Sequence, residues 1–250
     1  MPPRYEVIGV DGIPEVRPGD DVARLIVDAT RAQGTPIVAG DVLVIGQKIV
    51  SKAEGRLVRL ADVAPSAIAT SIASGTGRDP RLVEIILRES RRVVRMDKGV
   101  LITETHHGWV CANAGVDQSN VDVDTVALLP ADPDASARGL RETIRSLTAR
   151  EVAIIIADTF GRPWREGLTN VAIGLAGFAP LKSYIGELDS AGRPLSATIL
   201  AVADELASAA ELVMGKLDRI PVAIVRGLPL TPSEEGSKPL LRDPARDLFR

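Results

Sequence analysis

The stretch Glu151-Val152-Ala153-Ile154-Ile155-Ile156-Ala157, running straight into Asp158-Thr159-Phe160-Gly161-Arg162-Pro163-Trp164-Arg165-Glu166-Gly167, decides the fold class. Residues 151–157 are apolar almost without interruption and rich in isoleucine, the composition of a strand covered on both faces. The polar, glycine-containing residues 157–167 read as a loop at the carboxyl end of that strand, where open α/β sheets place their ligands. Residues 41–45 and 220–225 repeat the buried-strand pattern, and residues 5–10 open the chain with a further strand.

Helical patterns lie between these strands. Pro18-Gly19-Asp20 ends in an N-cap candidate, and a helix is expected over 21–32, with Val22, Leu25, Ile26 and Ala29 on its inner face. Two more patterns, 65–74 and 80–90, are separated by Gly75-Thr76-Gly77. Residues 100–105 and 108–112 are strand-like around a His106-His107 turn. Residues 136–148 read as a helix, and 196–213 as a long Ala-rich helix ended by Gly215. The class is mixed α/β. No repeat, low-complexity tract or Ser/Gly linker divides the chain, so residues 1–250 read as one domain of two intimately packed lobes, with a soft boundary near residue 80.

The 250 residues are 45% hydrophobic and 25% charged, the balance of a folded globular protein. Against 33 acidic residues stand 30 basic ones, and the net charge of −3 provides no global field for nucleic acid. Cys111 is the only cysteine, which excludes an intrachain disulfide or a multi-cysteine zinc site and fits a reducing compartment. The beginning, Met1-Pro2-Pro3-Arg4-Tyr5-Glu6, has no apolar signal core, and no apolar run nears the roughly 18 residues of a membrane span. A cytoplasmic protein with neither membrane nor nucleic-acid partner is the expectation.

Three constellations offer chemistry. The oxygens of Asp158 and Thr159 are the hard donors that magnesium or manganese prefers, and Arg162 and Arg165 suit phosphate or carboxylate. The alternative is a polar turn with surface arginines. In Asn113-Ala114-Gly115-Val116-Asp117-Gln118-Ser119-Asn120-Val121, small residues would let a ligand approach the backbone while Asp117 and Asn120 offer an acid and an amide; these are also ordinary turn residues. Gln47-Lys48-Ile49-Val50-Ser51-Lys52-Ala53-Glu54-Gly55-Arg56 gathers phosphate-binding groups, or forms a solvated basic face. It is not a Walker A loop, because G-x-x-x-x-G-K-[ST] occurs nowhere in the chain. His106-His107 lack metal-site spacing and read as turn residues. Cys111 reads as an inert buried thiol, and no G-x-S-x-G elbow supplies a serine nucleophile.

Taken in order, the motifs run Gly12-Ile13-Pro14-Glu15, Pro18-Gly19-Asp20-Asp21, Ile49-Val50-Ser51-Lys52-Ala53-Glu54-Gly55-Arg56 and Ala114-Gly115-Val116-Asp117-Gln118-Ser119-Asn120-Val121. They continue with Asp132-Pro133-Asp134-Ala135-Ser136, Asp158-Thr159-Phe160-Gly161-Arg162, Val202-Ala203-Asp204-Glu205 and Val225-Arg226-Gly227. This series resembles the coenzyme F420-0:L-glutamate ligase family from end to end. The resemblance implies a two-lobed α/β fold, a homodimer, and a groove for GTP. It implies Asp117, Asp158 and Thr159 as ligands of magnesium or manganese, with potassium as a further cation. Asp117, Asp158 and Arg162 are the catalytic candidates. Lys52 and Asn120 would contact GTP, Ile13-Pro14-Glu15-Val16 and Gln47-Lys48 would line it, and Met214-Gly215-Lys216 would close over it.

The implied reaction transfers a phosphoryl group from GTP to the terminal carboxylate of F420-0, and the L-glutamate amine then displaces phosphate to form an amide; later rounds would add γ-linked glutamates. A metal-dependent nucleotide or phosphate-ester hydrolase would use the same aspartates with water as acceptor, and a binding protein would use them without turnover. Some family members carry glutamate, which would be a further metal ligand, where this chain has Lys216. A protonated lysine has donors only, so the expectation is fewer metals or a phosphate-neutralising role. Gln47 stands where serine is common in the family. Some bacterial relatives continue into a reductase-like domain, whereas this chain stops at Asp247-Leu248-Phe249-Arg250.

Overall fold

The structure is a computed structural model that describes residues 4–247. Residues 1–3 and 248–250, parts of the terminal segments read above, lie outside the described residues. The strands are β1 (Glu6–Val10), β2 (Val42–Gly46), β3 (Leu57–Arg59), β4 (Ser90–Asp97), β5 (Val100–Thr105), β6 (Val110–Ala112), β7 (Thr125–Ala127), β8 (Ala153–Arg162), β9 (Arg165–Ala176), β10 (Lys182–Ser183), β11 (Ile199–Leu200) and β12 (Val222–Arg226). The helices are α1 (Val22–Ala32), α2 (Gln47–Ala53), α3 (Ala67–Thr76), α4 (Pro80–Arg88), α5 (Pro133–Thr148) and α6 (Val202–Met214).

The large lobe is a five-stranded sheet in the order β1-β12-β2-β8-β9, with β2 and β8 parallel and the other pairs antiparallel. Successive side chains of a strand point to opposite faces, so β2 and β8 feed two cores. Leu43, Ile45, Ile154 and Ile156 pack with Ile26 of α1 and Ile144 of α5. Val44 and Ile155 pack with Ala207 and Ala210 of α6. Burial on both faces is what the uninterrupted apolar run requires.

The small lobe, residues 57–129, is inserted between α2 and α5. It pairs β3 with β7 and orders β4-β5-β6, and its own core joins Leu60, Ile85, Ile86, Leu101, Val126 and Leu128. Pro80 is the first residue of α4, which packs on α3 inside this lobe. Trp109 and Leu129 reach from the small lobe into the core of the large one. Arg56 staples the joint, donating from Nε to the Leu129 carbonyl at 3.0 Å and from a guanidinium nitrogen to Glu89 at 2.7 Å. It is a lobe-joining residue, set apart from the lysines that precede it.

Several local expectations are corrected. Residues 158–162 are not a loop: β8 continues through them, turns at Pro163-Trp164 and returns as β9. The polar residues hid a hairpin whose pairing is supplied by a distant strand. The cap of α1 is Asp21, whose carboxylate accepts from Arg24 N–H at 3.0 Å, while Asp20 accepts from Arg17 N–H at 2.7 Å. Gly75 and Thr76 belong to α3, which ends at Gly77 in the left-handed region (φ 70°). The long helix begins at Val202, because residues 199–200 pair with 182–183 as β11 and β10.

β9 is an edge strand, and three of its N–H groups donate to carboxylates. Asn170 N–H donates to Glu211 at 2.8 Å, Ala172 N–H to Asp204 at 2.9 Å and Leu175 N–H to Asp134 at 2.8 Å. This capping blocks edge pairing and fixes the hairpin against α6.

Candidate functional site

The site forms where the hairpin, the loop after β6, the start of α2 and the turn after α6 converge. β6 packs against β8, which brings the small lobe to the hairpin base. The Gly46 N–H donates to the Pro221 carbonyl at 2.8 Å, which ties the start of α2 to the segment that follows α6.

Asp117 is held by its main chain, which exchanges hydrogen bonds with Ala127 at 3.0 and 2.8 Å. Its carboxylate accepts from Ser119 N–H at 2.7 Å and Ser119 Oγ at 3.1 Å. Lys48 Nζ lies 2.7 Å from Asp117 Oδ2 and also donates to the Ser119 carbonyl and Oγ, at 2.8 and 2.6 Å. Burial works to raise the Asp117 carboxyl, but the bonds from Lys48 and Ser119 outweigh it and the net shift is downward. The surrounding loop is bent through left-handed residues, among them Asn113 (φ 55°), Ala114 (φ 54°) and Asn120 (φ 55°). Such angles are unfavourable for non-glycine residues and persist only where neighbours impose them.

Asp158 sits on β8 opposite Val171, half-buried, and among the described residues no ion pair neutralises it. Burial pushes its carboxyl up to about 6; the Thr159 N–H opposes this, the Asp117 charge adds to it, and Lys48 and Lys216 pull it back. Thr159 Oγ1 donates to Asn170 Oδ1 at 2.7 Å and accepts from Lys216 Nζ at 2.5 Å. Lys216 also lies 2.8 Å from Glu211 Oε1.

The other sequence candidates fall around this centre or apart from it. Lys52, buried, pairs with Glu15, tying the Ile13–Val16 turn to α2. Pro14 and Glu15 are exposed and Ile13 is half-buried, whereas the Val16 side chain lies in the core, leaving only its main chain for a ligand. Gln47 is buried and accepts from Ser51 Oγ at 2.8 Å. Asn120 is exposed on the bent loop, and Met214 is buried at the end of α6. Gly215 has φ 59°, and a Cβ there would lie 2.2 Å from Asp218 Oδ2, so the turn needs glycine. Arg162 is at the hairpin tip, donating to the Glu166 carbonyl at 3.1 Å, about 13 Å along the strand from Asp158. It does not join the two aspartates.

Sequence reasoning gave no role to Ser119, Asn170 or Glu211. A signal was present in α6, where Asp204, Ser208 and Glu211 recur at helical spacing as a polar stripe among alanines and leucines. His106 and His107 each bond a main-chain carbonyl, of Arg88 at 2.8 Å and Ala131 at 3.1 Å. Cys111 is buried, and burial pushes its thiol up to about 12, as an inert cysteine requires.

The donor set suits a hard cation. Asp117, Asp158 and Thr159 offer only oxygens, and among the described residues Asp158 is in no ion pair. No cluster of three or more His, Cys, Asp or Glu side chains suited to a metal occurs among the described residues. A cation here would therefore draw further ligands from phosphate oxygens or water, as magnesium commonly does. Among the described residues no helix is long and apolar enough to cross a membrane.

A family model described as F420-0:Gamma-glutamyl ligase matches residues 12–227. The coenzyme F420:L-glutamate ligase of Methanothermobacter thermautotrophicus is 49% identical over 247 residues, covering 98% of both chains. That of Methanopyrus kandleri is 49% identical over 241 residues, 94% of both chains. The Methanocaldococcus jannaschii protein of the same name is 40% identical over 250 residues, covering 99% of this chain and 97% of its own. With the model spanning most of its length and relatives matched nearly end to end, the chain belongs to the F420-0:gamma-glutamyl ligase family.

Proposed function

We propose that this chain is a GTP-dependent ligase that joins L-glutamate to coenzyme F420-0 through an acyl phosphate and can extend the product with γ-linked glutamates. The observation that carries the reading is the charge pattern at the lobe junction: Asp158, in no ion pair of the described residues, lies near Asp117, with the Lys48 ammonium on Asp117 and the Lys216 ammonium on Thr159, while Lys52 pairs with Glu15. The names of the relatives supply the substrate class.

A carboxylate does not form an amide with an amine unaided. Its oxygen attacks the γ-phosphorus, GDP leaves, and the glutamate amine then attacks the activated carbonyl carbon, expelling phosphate and losing a proton. Magnesium or manganese, with potassium as an auxiliary cation, would be held by Asp117, Asp158 and Thr159 and would neutralise the developing phosphoryl charge. Lys48 and Lys52 hold the polyphosphate once it competes for their present partners, Asp117 and Glu15. The Ile13–Val16 turn, Gln47, Asn120 and the Met214–Lys216 segment border the nucleotide. Arg162, far along the hairpin, suits a carboxylate at the distal end of the substrate. The working form in this reading is a cytoplasmic homodimer.

The test supplies purified protein with GTP, magnesium or manganese, L-glutamate and F420-0. Glutamylated product and GDP are expected in equal amounts. GDP and phosphate without a glutamyl mass increase would replace the ligase with a hydrolase.

A further inference from the structure

The Thr159 hydroxyl has one proton, and it is committed to Asn170 Oδ1 at 2.7 Å; its lone pairs therefore face the Lys216 ammonium. Asn170 is buried and fixed, its N–H donating to Glu211 Oε2 at 2.8 Å and its carbonyl accepting from Ser208 Oγ at 2.9 Å. The other Glu211 oxygen lies 2.8 Å from Lys216 Nζ. Lys216 arrives from a built turn, with Gly215 at φ 59° and Arg219 at φ 56°. The ammonium thus rests between a hydroxyl oriented as an acceptor and a carboxylate, on the residue next to Asp158.

We infer that Lys216 is the resident cation of a second cation seat, formed by Thr159 Oγ1 and Glu211 Oε1 and oriented by Asn170, and that it excludes a divalent ion from that seat. The inference rests on the reading of Asp158 and Thr159 as metal-holding residues. An ammonium brings one positive charge and no coordination geometry. A divalent ion in the same seat would meet that charge at contact distance, so parent protein takes one metal fewer than its oxygens allow. Asn170 is a positioning residue: it acts through the Thr159 hydroxyl. The lysine does not need a strong pair to hold the seat, because it is tethered and always present.

The experiment counts manganese bound by the full chain, without nucleotide, from the paramagnetic resonance signal of free Mn²⁺. Thermal melts confirm that each variant is folded. Lys216→Ala is expected to bind one more Mn²⁺ per chain than the parent, and Lys216→Ala with Glu211→Gln to return to the parent count. Adding Asn170→Ala to Lys216→Ala should weaken the extra site about 10-fold, because the Thr159 proton is then free to turn toward the metal. An unchanged count in Lys216→Ala overturns the inference. If the parent binds Mn²⁺ and the count is unchanged, only the inference falls; if neither protein binds Mn²⁺, the metal reading of the site falls with it.

Discussion

The hairpin of β8 and β9 and the loop after β6 each deliver one aspartate to the lobe junction, and they hold it in opposite ways. The hairpin is paired strand, broken by register shifts after Ile156 and Phe160, and clamped along its edge by Glu211, Asp204 and Asp134; among the described residues its Asp158 is in no ion pair, with Lys48 and Lys216 acting on it only from a distance. The loop is bent through left-handed residues, and it presents Asp117 already bound to Lys48 and Ser119. Rigid backbone can keep a carboxylate in an unfavourable state, whereas a strained loop is itself held by the bonds its carboxylate makes. One acid stands outside any ion pair of the described residues; the other is tied into the loop that carries it.

The largest effects should come from removing either charge. Asp158→Asn and Asp117→Asn are each expected to lower ligase turnover by about 10²- to 10³-fold, the scale of several kcal/mol of lost charge stabilisation. Steady-state rates at saturating metal check this, and near-parental turnover in either variant would remove that residue from the centre.

Glycine replacements separate the two backbones. A Cβ on Gly115, at φ 71°, would lie 2.7 Å from Leu129 Cγ, whereas a Cβ on Gly161 meets only Leu168 at 3.8 Å. Gly115→Ala should cost about 1–3 kcal/mol in chemical unfolding and disturb activity through Asp117. Gly161→Ala should leave stability nearly unchanged. Equal costs would mean that the loop is no more constrained than the hairpin.

A smaller effect is expected from Lys48→Met. The pair with Asp117 is partly exposed, so its loss should cost no more than about 1 kcal/mol while weakening nucleotide binding. Smallest is Arg162→Ala, which leaves the aspartates untouched. It should raise KM for the deazaflavin or glutamate with kcat nearly constant, and a collapse of kcat would place Arg162 at the reacting atoms after all.

The central sheet was legible because β2, β8 and β12 carry their signal locally, in short apolar runs buried on both faces. The hairpin was not. Residues 158–162 are polar, and β9 begins with Arg165, Glu166 and Gly167, so only their mutual pairing makes them strands. α2, at seven residues, is too short to show a helical period. Asp117, Asp158, Thr159, Lys48 and Lys52 could be named from residue type and resemblance, but their current partners could not. Asn170 and Glu211 stayed hidden because their role comes from capping a strand edge that is visible only in three dimensions.

The account is tested most directly by the melting of metal-free protein across pH. The Asp158 carboxyl, raised from 3.8 to about 6 in the folded state, favours folding while protonated; that stability is present below pH 3.8 and is lost as pH rises through about 6. At pH 8, with chelator present, Asp158→Asn should therefore melt above the parent, by roughly 2–8 °C for a gain of about 1–3 kcal/mol, and the gap should close near pH 4. The Asp117 carboxyl is lowered, so its contribution is present above pH 3.8 and lost as pH falls below that; Asp117→Asn should melt below the parent at pH 8. An Asp158→Asn protein that melts at or below the parent at pH 8 would show that Asp158 carries no uncompensated charge, and would contradict the account.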